Sequence, residues 1–262
     1  MQKTSLAKMS WKEVKAAQER KPVVLLPVGN IEMHGFHCPV GWEYIFGEKV
    51  SEKVAEKTGS LALPAVPYGW SEPLRGYPGS FSIREEALVG IYEDVCSKML
   101  EDGFNHIVLV TPHQGNMKVV IKVARSIKKE HGIFVTWINP AAFAYGFAEE
   151  LYGTSPSEEG HGGFISTAIL SYLLPGMIDM KLAKVGQMAA EFRGFKVNGV
   201  SELSFKSKPV GICLDADEVS EGTWGDFSQA TPEKGRVLFE KVVEHVCAFV
   251  EAFKDFDVRV HP

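Results

Sequence analysis

Side chains that can bind metal ions follow a short apolar segment near the start of the chain. The apolar residues 23–27 (VVLLP) are followed within one loop by Glu32, His34, His37 and Glu43. Carboxylate and imidazole groups are ligands that suit zinc, manganese or iron. A lone Glu-x-His is often only a solvated loop, but the glycines between these residues let the backbone turn tightly beside a ligand. This stretch therefore predicts a metal site.

Two further histidines occur in glycine-containing loops at the boundaries of predicted elements. His113 lies in TPHQGN, directly after the apolar residues 105–111, and His161 lies in EEGHGG, just ahead of an apolar helix. Either histidine alone could be structural. Because loops at the carboxyl ends of parallel strands share one edge of a sheet, both can meet Glu32 and His34 in one cleft. The four residues together predict a metal centre.

A metal centre with an open coordination position predicts hydrolytic chemistry. A bound divalent ion lowers the pKa of water from about 15.7 towards about 7 and polarises a substrate carbonyl. Metal ligands also need polar neighbours that fix their orientation. The candidates for that role are Asn30, Gln114, Asn116 and Glu159.

Alternating strands and helices must position these residues. The hydrophobic spacing predicts helices over residues 10–20, 44–57, 82–103, 117–131, 164–174 and 235–253. It predicts strands over residues 23–27, 61–66, 105–111 and 133–138, with hairpin strands around Gly194 and Gly211. Repeated strand–helix–strand units form a parallel sheet covered by helices. The predicted fold is an α/β three-layer sandwich with a central, mostly parallel sheet and helices on both faces.

The composition favours a globular protein that acts on a small polar molecule. The chain has 262 residues, of which 45% are hydrophobic, a formal net charge of -5 and a pI near 5.9. This length suits a single domain over residues 1–262, with two small domains as the alternative. The mild acidity argues against a nucleic-acid or membrane-surface partner, because such partners require a basic face.

The distribution of apolar residues and cysteines predicts a cytoplasmic protein. No apolar stretch reaches the roughly 18 residues that span a bilayer, and the N-terminal residues lack the apolar core of a signal peptide. The four cysteines form no C-x-x-C pair. Neither a zinc knuckle nor a disulfide framework is therefore predicted.

Five motifs, in order along the chain, resemble those of one known family. Residues 27–43, PVGNIEMHGFHCPVGWE, resemble the P-x-G-S-x-E-x-H-G-x-H-L-P-x-x-T-D signature of the creatininase (creatinine amidohydrolase) family. YPGSFSI is similar to the family's P-G-T-x-S-x segment, TPHQGN to its N-G-H-G-G-N loop, and GHGGFISTAIL to its H-A-G-x-x-E-T-S helix start. GTWGDFSQATPEKG is similar to its G-x-x-G-D-P-x-x-A-x-x-x-x-G segment. The likeness covers nearly the full chain.

This resemblance implies a metal-dependent hydrolase of small cyclic amides or related carbon–nitrogen bonds. It also implies an α/β fold, a homo-oligomer that is often a hexamer, and one or two divalent ions per subunit, with zinc ahead of manganese or iron. The matching positions for metal ligands are Glu32, His34, Glu43 and His113. His161 matches a histidine implicated in proton transfer, and we predict it to be catalytic together with Glu159. The predicted substrate contacts are Trp42, Arg75, Gln114 and Ser166.

The chain departs from the family pattern at positions that bear on metal and substrate. Glu43 stands where an aspartate usually bridges the metal ions, and Ser166 stands where the family has a glutamate ligand. Pro112 and Gln114 replace glycines beside the loop histidine. Because a neutral hydroxyl is a poor ligand for a divalent ion, these departures predict one firmly held ion and a substrate other than creatinine.

Three other functions stay open at this point. The first is a carbon–carbon hydrolase that opens a cyclic diketone, such as a diketo-inositol of the 3-dehydro-scyllo-inosose type in inositol breakdown, with His161 supplying a proton to an enolate. The second is a metabolite-binding protein that has lost catalysis, which the serine at position 166 suggests. The third, a nucleotide-dependent enzyme, is poorly supported because the chain has neither a P-loop motif nor a G-x-G-x-x-G after a strand.

Overall fold

A computed structural model describes residues 3–155 and 160–261 of the chain. The helices are α1 (Trp11–Gln18), α2 (Trp42–Thr58), α3 (Glu85–Glu101), α4 (Met117–His131), α5 (Pro140–Tyr152), α6 (Phe164–Leu173) and α7 (Pro232–Phe253). The strands are β1 (Val24–Pro27), β2 (Leu61–Ala62), β3 (Ile107–Val110), β4 (Thr136–Ile138), β5 (Glu191–Phe192), β6 (Phe195–Gly199), β7 (Glu202–Phe205) and β8 (Lys208–Gly211). No described helix combines the length and apolar character needed to cross a membrane.

The central sheet is parallel and has the strand order β2-β1-β3-β4. Every residue of β1 and β3 is buried. A strand covered on both faces has to be apolar at every position, and this explains the uninterrupted VLLP and IVLV runs. The two strands pair in register from Val24 opposite Ile107 to Pro27 opposite Val110. Their carboxyl ends, and the loops that follow them, therefore lie side by side.

Helices cover both faces of this sheet, which confirms the predicted α/β fold with helices on both faces. Alternate residues of each strand point to opposite faces. Leu25 and Val108 accordingly pack in one core with α2, α5, α6 and α7. Leu26 and Leu109 pack in a second core with α1, α3 and α4. The two cores fix the central strands from both sides.

Strands β5 to β8 form a separate antiparallel sheet in sequential order. Its apolar side chains pack in a small core of their own with the segment that follows β8. The turn predicted at Gly194 is present, and this glycine has a positive φ of 88°. The strand predicted around Gly211 is β8, which ends at this glycine, and the turn before it uses Lys206 and Ser207 with φ of 49° and 61°.

Several predicted strands and helices are longer than the observed ones. The strand predicted over residues 61–66 stops at Ala62, ahead of Pro64, and only Val66 pairs again with the strand next to it. The strand predicted over 133–138 begins at Thr136 because the residues before it pair with the C-terminal segment instead. The helix predicted over 82–103 begins at Glu85, because the backbone N–H of Ile83 donates to the carbonyl of Gly69.

Helix α5 is absent from the sequence prediction, although its ends carry clear signals. The side chain of Asn139 caps it by accepting from the N–H of Ala142, and Pro140 occupies its first turn. Gly153 ends it in the left-handed conformation, with φ of 64°. Asparagine, proline and glycine at these three positions are typical of a helix start and a helix end.

Replacing Gly90 by alanine is expected to stabilise the protein. Gly90 lies within α3, and a Cβ there would meet no atom within 4 Å beyond the adjoining backbone of its own helix. Alanine in a helix interior is favoured over glycine by about 0.5–1 kcal/mol. Urea denaturation should therefore show a higher free energy of unfolding for Gly90→Ala. The contrasting variant Gly59→Ala should be destabilised, because Gly59 has a φ of 72° at the end of α2.

Candidate metal centre

Five titratable side chains meet at the carboxyl ends of β1 and β3. Glu32 and His34 lie in the loop after β1, and Glu43 lies in the first turn of α2. His113 follows β3, and His161 lies two residues before the glycine that caps α6. These five residues are called the Glu/His cluster below. Open parallel sheets carry their ligand sites at this edge.

The cluster alternates carboxylate and imidazole groups. Glu32 Oε1 lies 3.0 Å from His161 Nε2 and 3.3 Å from His113 Nδ1. Glu43 Oε1 lies 3.5 Å from the same His113 Nδ1 and 3.4 Å from His34 Nε2. Two groups of three residues each bring one ligand atom per residue within 4.8 Å of one another. One group is Glu32, His34 and His161, and the other is Glu32, Glu43 and His113. Glu32 belongs to both groups.

The cluster fits a divalent metal ion. Glu43 Oε2 is buried and has no hydrogen-bond partner in the structure. A buried carboxylate oxygen without a partner is costly, and a cation beside it would remove that cost. Two carboxylates and three imidazoles also form the kind of ligand set that zinc, manganese or iron accept. The unpartnered oxygen and the donor types therefore agree.

Hydrogen bonds to backbone carbonyls determine which ring nitrogen of His113 and of His34 faces the rest of the cluster. His113 Nε2 lies 2.9 Å from the carbonyl oxygen of Trp70, to which it donates. Its Nδ1 is thereby left to face the carboxylates. His34 Nδ1 lies 3.3 Å from the carbonyl oxygen of Glu32, so that Nε2 is the free nitrogen. Such hydrogen bonds fix the tautomer and the ring orientation of a metal-binding histidine.

Burial and mutual interaction shift the pKa values of the cluster in opposite directions. Burial would raise the pKa of Glu32, but the charge of His113 and hydrogen bonds from His113 and His161 hold it well below its ordinary value. Burial would lower the pKa of His113, but both carboxylates raise it well above its ordinary value. Burial and the charge of Glu32 raise the pKa of Glu43 well above its ordinary value. Burial, and then the charge of His161, lower the pKa of His34 to about 3.

These pKa values predict that metal affinity increases with pH. In the metal-free protein His113 holds a proton, and a metal ion must displace that proton from Nδ1. The affinity should therefore rise with pH until the pH exceeds the raised pKa of His113, and then level off. Zinc titrations by calorimetry in buffers of different ionisation enthalpy should show proton release at pH 7. A zinc affinity that does not change between about pH 5.5 and about pH 8 would contradict this prediction.

His161 is held between two rings at the open side of the cluster. Its ring centroid lies 4.8 Å from that of His34 and 4.3 Å from that of Trp224. A Cβ on the preceding Gly160 would overlap the carbonyl group of Trp224, so only glycine fits at this contact. The His161 side chain is 26% exposed, while that of Glu32 is fully buried. His161 is thus the cluster residue with the most access to a substrate.

A groove of about 910 Å³ is lined by none of the five cluster residues but reaches two residues next to His161. Gly160 and Trp224, which flank His161, both line it. Tyr145 and Met188 contribute apolar surface to the groove, while Glu149, Asn198 and Asp226 contribute polar and acidic groups. The groove therefore meets the residues around His161 and not the metal-binding atoms themselves.

The other predicted site residues make contacts that lead away from the cluster. Trp42 is buried and stacks on Phe46, with ring centroids 4.6 Å apart. The Arg75 side chain is 62% exposed, and its guanidinium pairs with Glu72 at 2.9 Å. Their assignment to the substrate stays a prediction that these contacts do not support.

The remaining predicted residues differ in how near they lie to the cluster. Gln114 follows His113 but is exposed, and its Oε1 accepts from Asn139 at 3.4 Å. Ser166 is buried in the first turn of α6, where its hydroxyl donates to the carbonyl of Gly163 at 3.4 Å. Glu159 lies outside the residues that the structure describes.

Asn30 and Asn116 hold the loops around the cluster, as predicted for orienting residues. Asn30 Nδ2 donates to Glu32 Oε2 at 2.6 Å. Asn116 accepts from the N–H of Trp70 at 2.9 Å and donates to the carbonyl of Gly29 at 3.0 Å. His37, a candidate by its position in the loop, instead contacts the hydroxyl of Thr167 at 2.9 Å through Nε2.

Ser71, which contacts the cluster together with its neighbour Trp70, was not singled out from the sequence. The hydroxyl of Ser71 donates to Glu32 Oε2, and the carbonyl of Trp70 accepts from His113. Both residues belong to YGWS, in the long polar segment between β2 and α3. The length of that segment was the available signal, since long ordered loops are commonly functional.

Comparison with known proteins assigns the family. The family model described as "Creatininase: Creatinine amidohydrolase" matches residues 7–250. The chain belongs to the creatininase family. Creatininase-family proteins are metal-dependent hydrolases, so this chain is an enzyme of that class with a divalent metal cofactor.

Creatininase relatives with different activities are similar in sequence to part or most of this chain. Creatinine amidohydrolase of Pseudomonas putida is 23% identical over 257 residues, which are 92% of this chain and 94% of that protein. Mycofactocin precursor peptide peptidase of Mycolicibacterium smegmatis is 25% identical over 234 residues, 85% of this chain and 81% of that protein. The 3-dehydro-scyllo-inosose hydrolase of Thermotoga maritima is 25% identical over 122 residues, 46% of this chain and 39% of that protein.

Solved creatininase structures share the fold. A mutant creatininase of the Zn–Zn type superimposes with a TM-score of 0.78 and 23% identity, covering 97% of this chain and 99% of that chain. This likeness supports the same α/β architecture from end to end.

Proposed function

We propose that this protein opens a small cyclic substrate, a cyclic amide or related ring, by hydrolysis at a metal ion. The Glu/His cluster is the observation that carries the proposal, because it gathers two carboxylates and three imidazoles at one edge of the sheet. Glu32, His34, Glu43 and His113 would hold the ion, with zinc ahead of manganese or iron.

Different residues of this chain would bind the metal ion and transfer the proton. A divalent ion in such a site supplies activation of water and polarisation of the substrate carbonyl. His161 would carry the proton that the leaving nitrogen needs, because it is the most exposed cluster residue and its ring is fixed by His34 and Trp224. Glu32 Oε1 accepts from His161 Nε2 and so orients the imidazole for this transfer.

The groove beside His161 would hold the part of the substrate beyond the ring. A substrate other than creatinine would extend past Gly160 and Trp224 into this groove. Glu149 and Asp226 favour hydroxyl or cationic substituents on that part of the substrate. The groove therefore supports a larger, polar cyclic substrate.

A second candidate is the hydrolysis of a carbon–carbon bond in a cyclic diketone. The local similarity to 3-dehydro-scyllo-inosose hydrolase favours it. Water would add to one carbonyl of a cyclic 1,3-diketone, the bond to the central carbon would break, and that carbon would leave as an enolate. His161 would then return a proton to the enolate carbon, giving an open-chain keto acid. The proton-transfer role of His161 is the same in both candidates.

A substrate panel distinguishes the candidates. Zinc- and manganese-loaded protein would be incubated with cyclic amides and with cyclic 1,3-diketones, including a diketo-inositol, and products would be followed by NMR. Opening of cyclic amides alone supports the first candidate, and opening of diketones alone replaces it with the second. A third outcome is that the protein retains little metal after loading and binds members of either series without turnover. That outcome would support a metabolite-binding protein that has lost catalysis. The homo-oligomer, the single domain and the cytoplasmic location stay predictions.

A further inference from the structure

Glu32 is held at one carboxylate oxygen by two donors from different parts of the chain. Oε2 accepts from Asn30 Nδ2 at 2.6 Å and from the hydroxyl of Ser71. All three side chains are buried, with Ser71 1% exposed. A carboxylate oxygen has two lone pairs, so these donors saturate Oε2. Oε1 is then the oxygen that faces His113 and His161.

Ser71 belongs to a segment that contacts two cluster residues at once. The carbonyl of Trp70 accepts from His113 Nε2 at 2.9 Å, and the next side chain along the chain, Ser71, donates to Glu32. The segment is itself fixed, because the N–H of Trp70 donates to Asn116 and the N–H of Ser71 donates to Ser82 Oγ at 3.1 Å. The contact between Ser71 and Glu32 thus joins two rigid loops.

We propose that Ser71 is a positioning residue of the metal centre, which restricts Glu32 to coordination through Oε1. Without the Ser71 hydroxyl, Glu32 Oε2 loses one of its two donors and the carboxylate can rotate towards the ion. Rotation would change both groups of ligand atoms, because Glu32 is common to them. Outer-shell hydrogen bonds of this kind typically contribute about 10- to 100-fold to metal affinity.

The test compares Ser71→Ala with a control in the same loop. Ser80→Ala is the matched control, because Ser80 Oγ accepts from the N–H of Met33 at 2.9 Å and so joins the same two loops without touching Glu32. Zinc affinity of the full chain would be measured by competition with a chromophoric chelator. Ser71→Ala should bind zinc about 10- to 100-fold more weakly than the wild type, while Ser80→Ala should stay within about 3-fold.

Two further variants make the result independent of folding defects. Ser71→Thr keeps the hydroxyl and should restore affinity to within about 3-fold of the wild type, which a purely steric role of the site would not allow. If Ser71→Ala does not fold, Asn30→Ala removes the other donor to Oε2 and should show the same loss. Equal zinc affinity in Ser71→Ala and Ser80→Ala, or in Asn30→Ala and the wild type, would overturn the proposal. The readout is zinc affinity, so the proposal stands or falls independently of which bond the enzyme hydrolyses.

Discussion

His113→Ala is expected to lose bound metal and hydrolase activity together. His113 Nδ1 lies within 3.5 Å of Glu43 Oε1 and is closer still to Glu32, so it contacts both carboxylates of the cluster. An outer-shell change costs about 10- to 100-fold in metal affinity, and removing a direct ligand should cost more than the upper end of that range. Elemental analysis after gel filtration should find fewer ions per subunit in the variant, and turnover should fall to the uncatalysed background.

His131→Ala is the matched control for this experiment. His131 ends α4, where its Nε2 lies 3.0 Å from the hydroxyl of Ser97 and away from the Glu/His cluster. It should keep its metal and its activity. If His113→Ala kept the full metal content, the ion would have to bind outside the Glu/His cluster. The wild-type count also tests whether Ser166, in place of the family glutamate, leaves one ion instead of two.

Neutralising the two buried carboxylates should destabilise the metal-free protein to very different extents. Glu32 is ionised and paired with protonated His113, since the pKa of Glu32 is lowered and that of His113 is raised. Removing one partner of a buried ion pair costs about 3–5 kcal/mol, so Glu32→Gln should be strongly destabilised. Glu43 has a raised pKa and tends to hold a proton. Glu43→Gln resembles that protonated form and should cost about 1 kcal/mol or less, the net value of a hydrogen bond.

Urea denaturation in the presence of a chelator measures this difference. At neutral pH Glu32→Gln should lose far more stability than Glu43→Gln, although both should lose metal affinity. The stabilisation from Glu32, whose folded pKa is lowered, is present above its unfolded pKa and disappears as the pH falls through the folded pKa. The two variants should therefore converge at acidic pH. Equal destabilisation at neutral pH would show that both carboxylates are ionised in the metal-free protein.

Local patterns predicted the central sheet and the cluster because both depend on short runs of sequence. The apolar runs of β1 and β3 are buried on both faces, and ligands that directly follow such strands must meet at the sheet edge. Glu32, His34 and His113 could be placed for this reason.

Features that depend on distant packing could not be predicted in the same way. Ser71 lies 39 residues from Glu32, and no periodicity indicates which loop side chain reaches which carboxylate. Trp42, predicted as a substrate contact, is the first residue of α2 and packs into the core. Helix α5 was missed because its buried residues are Pro140 and three alanines, which give a weak periodic pattern.

The separation of the cluster residues along the chain bears on when the metal can act during folding. Glu32 and His161 are 129 residues apart, and they meet only after β1 and β3 have paired and α6 has packed against α2 and α7. Contacts between such distant residues form late, because long loops must close first. An ion that binds only this completed arrangement stabilises the native state without assisting the folding nucleus. The ion should therefore lower the unfolding rate constant and prolong the lifetime of the native protein, while the folding rate constant should stay unchanged.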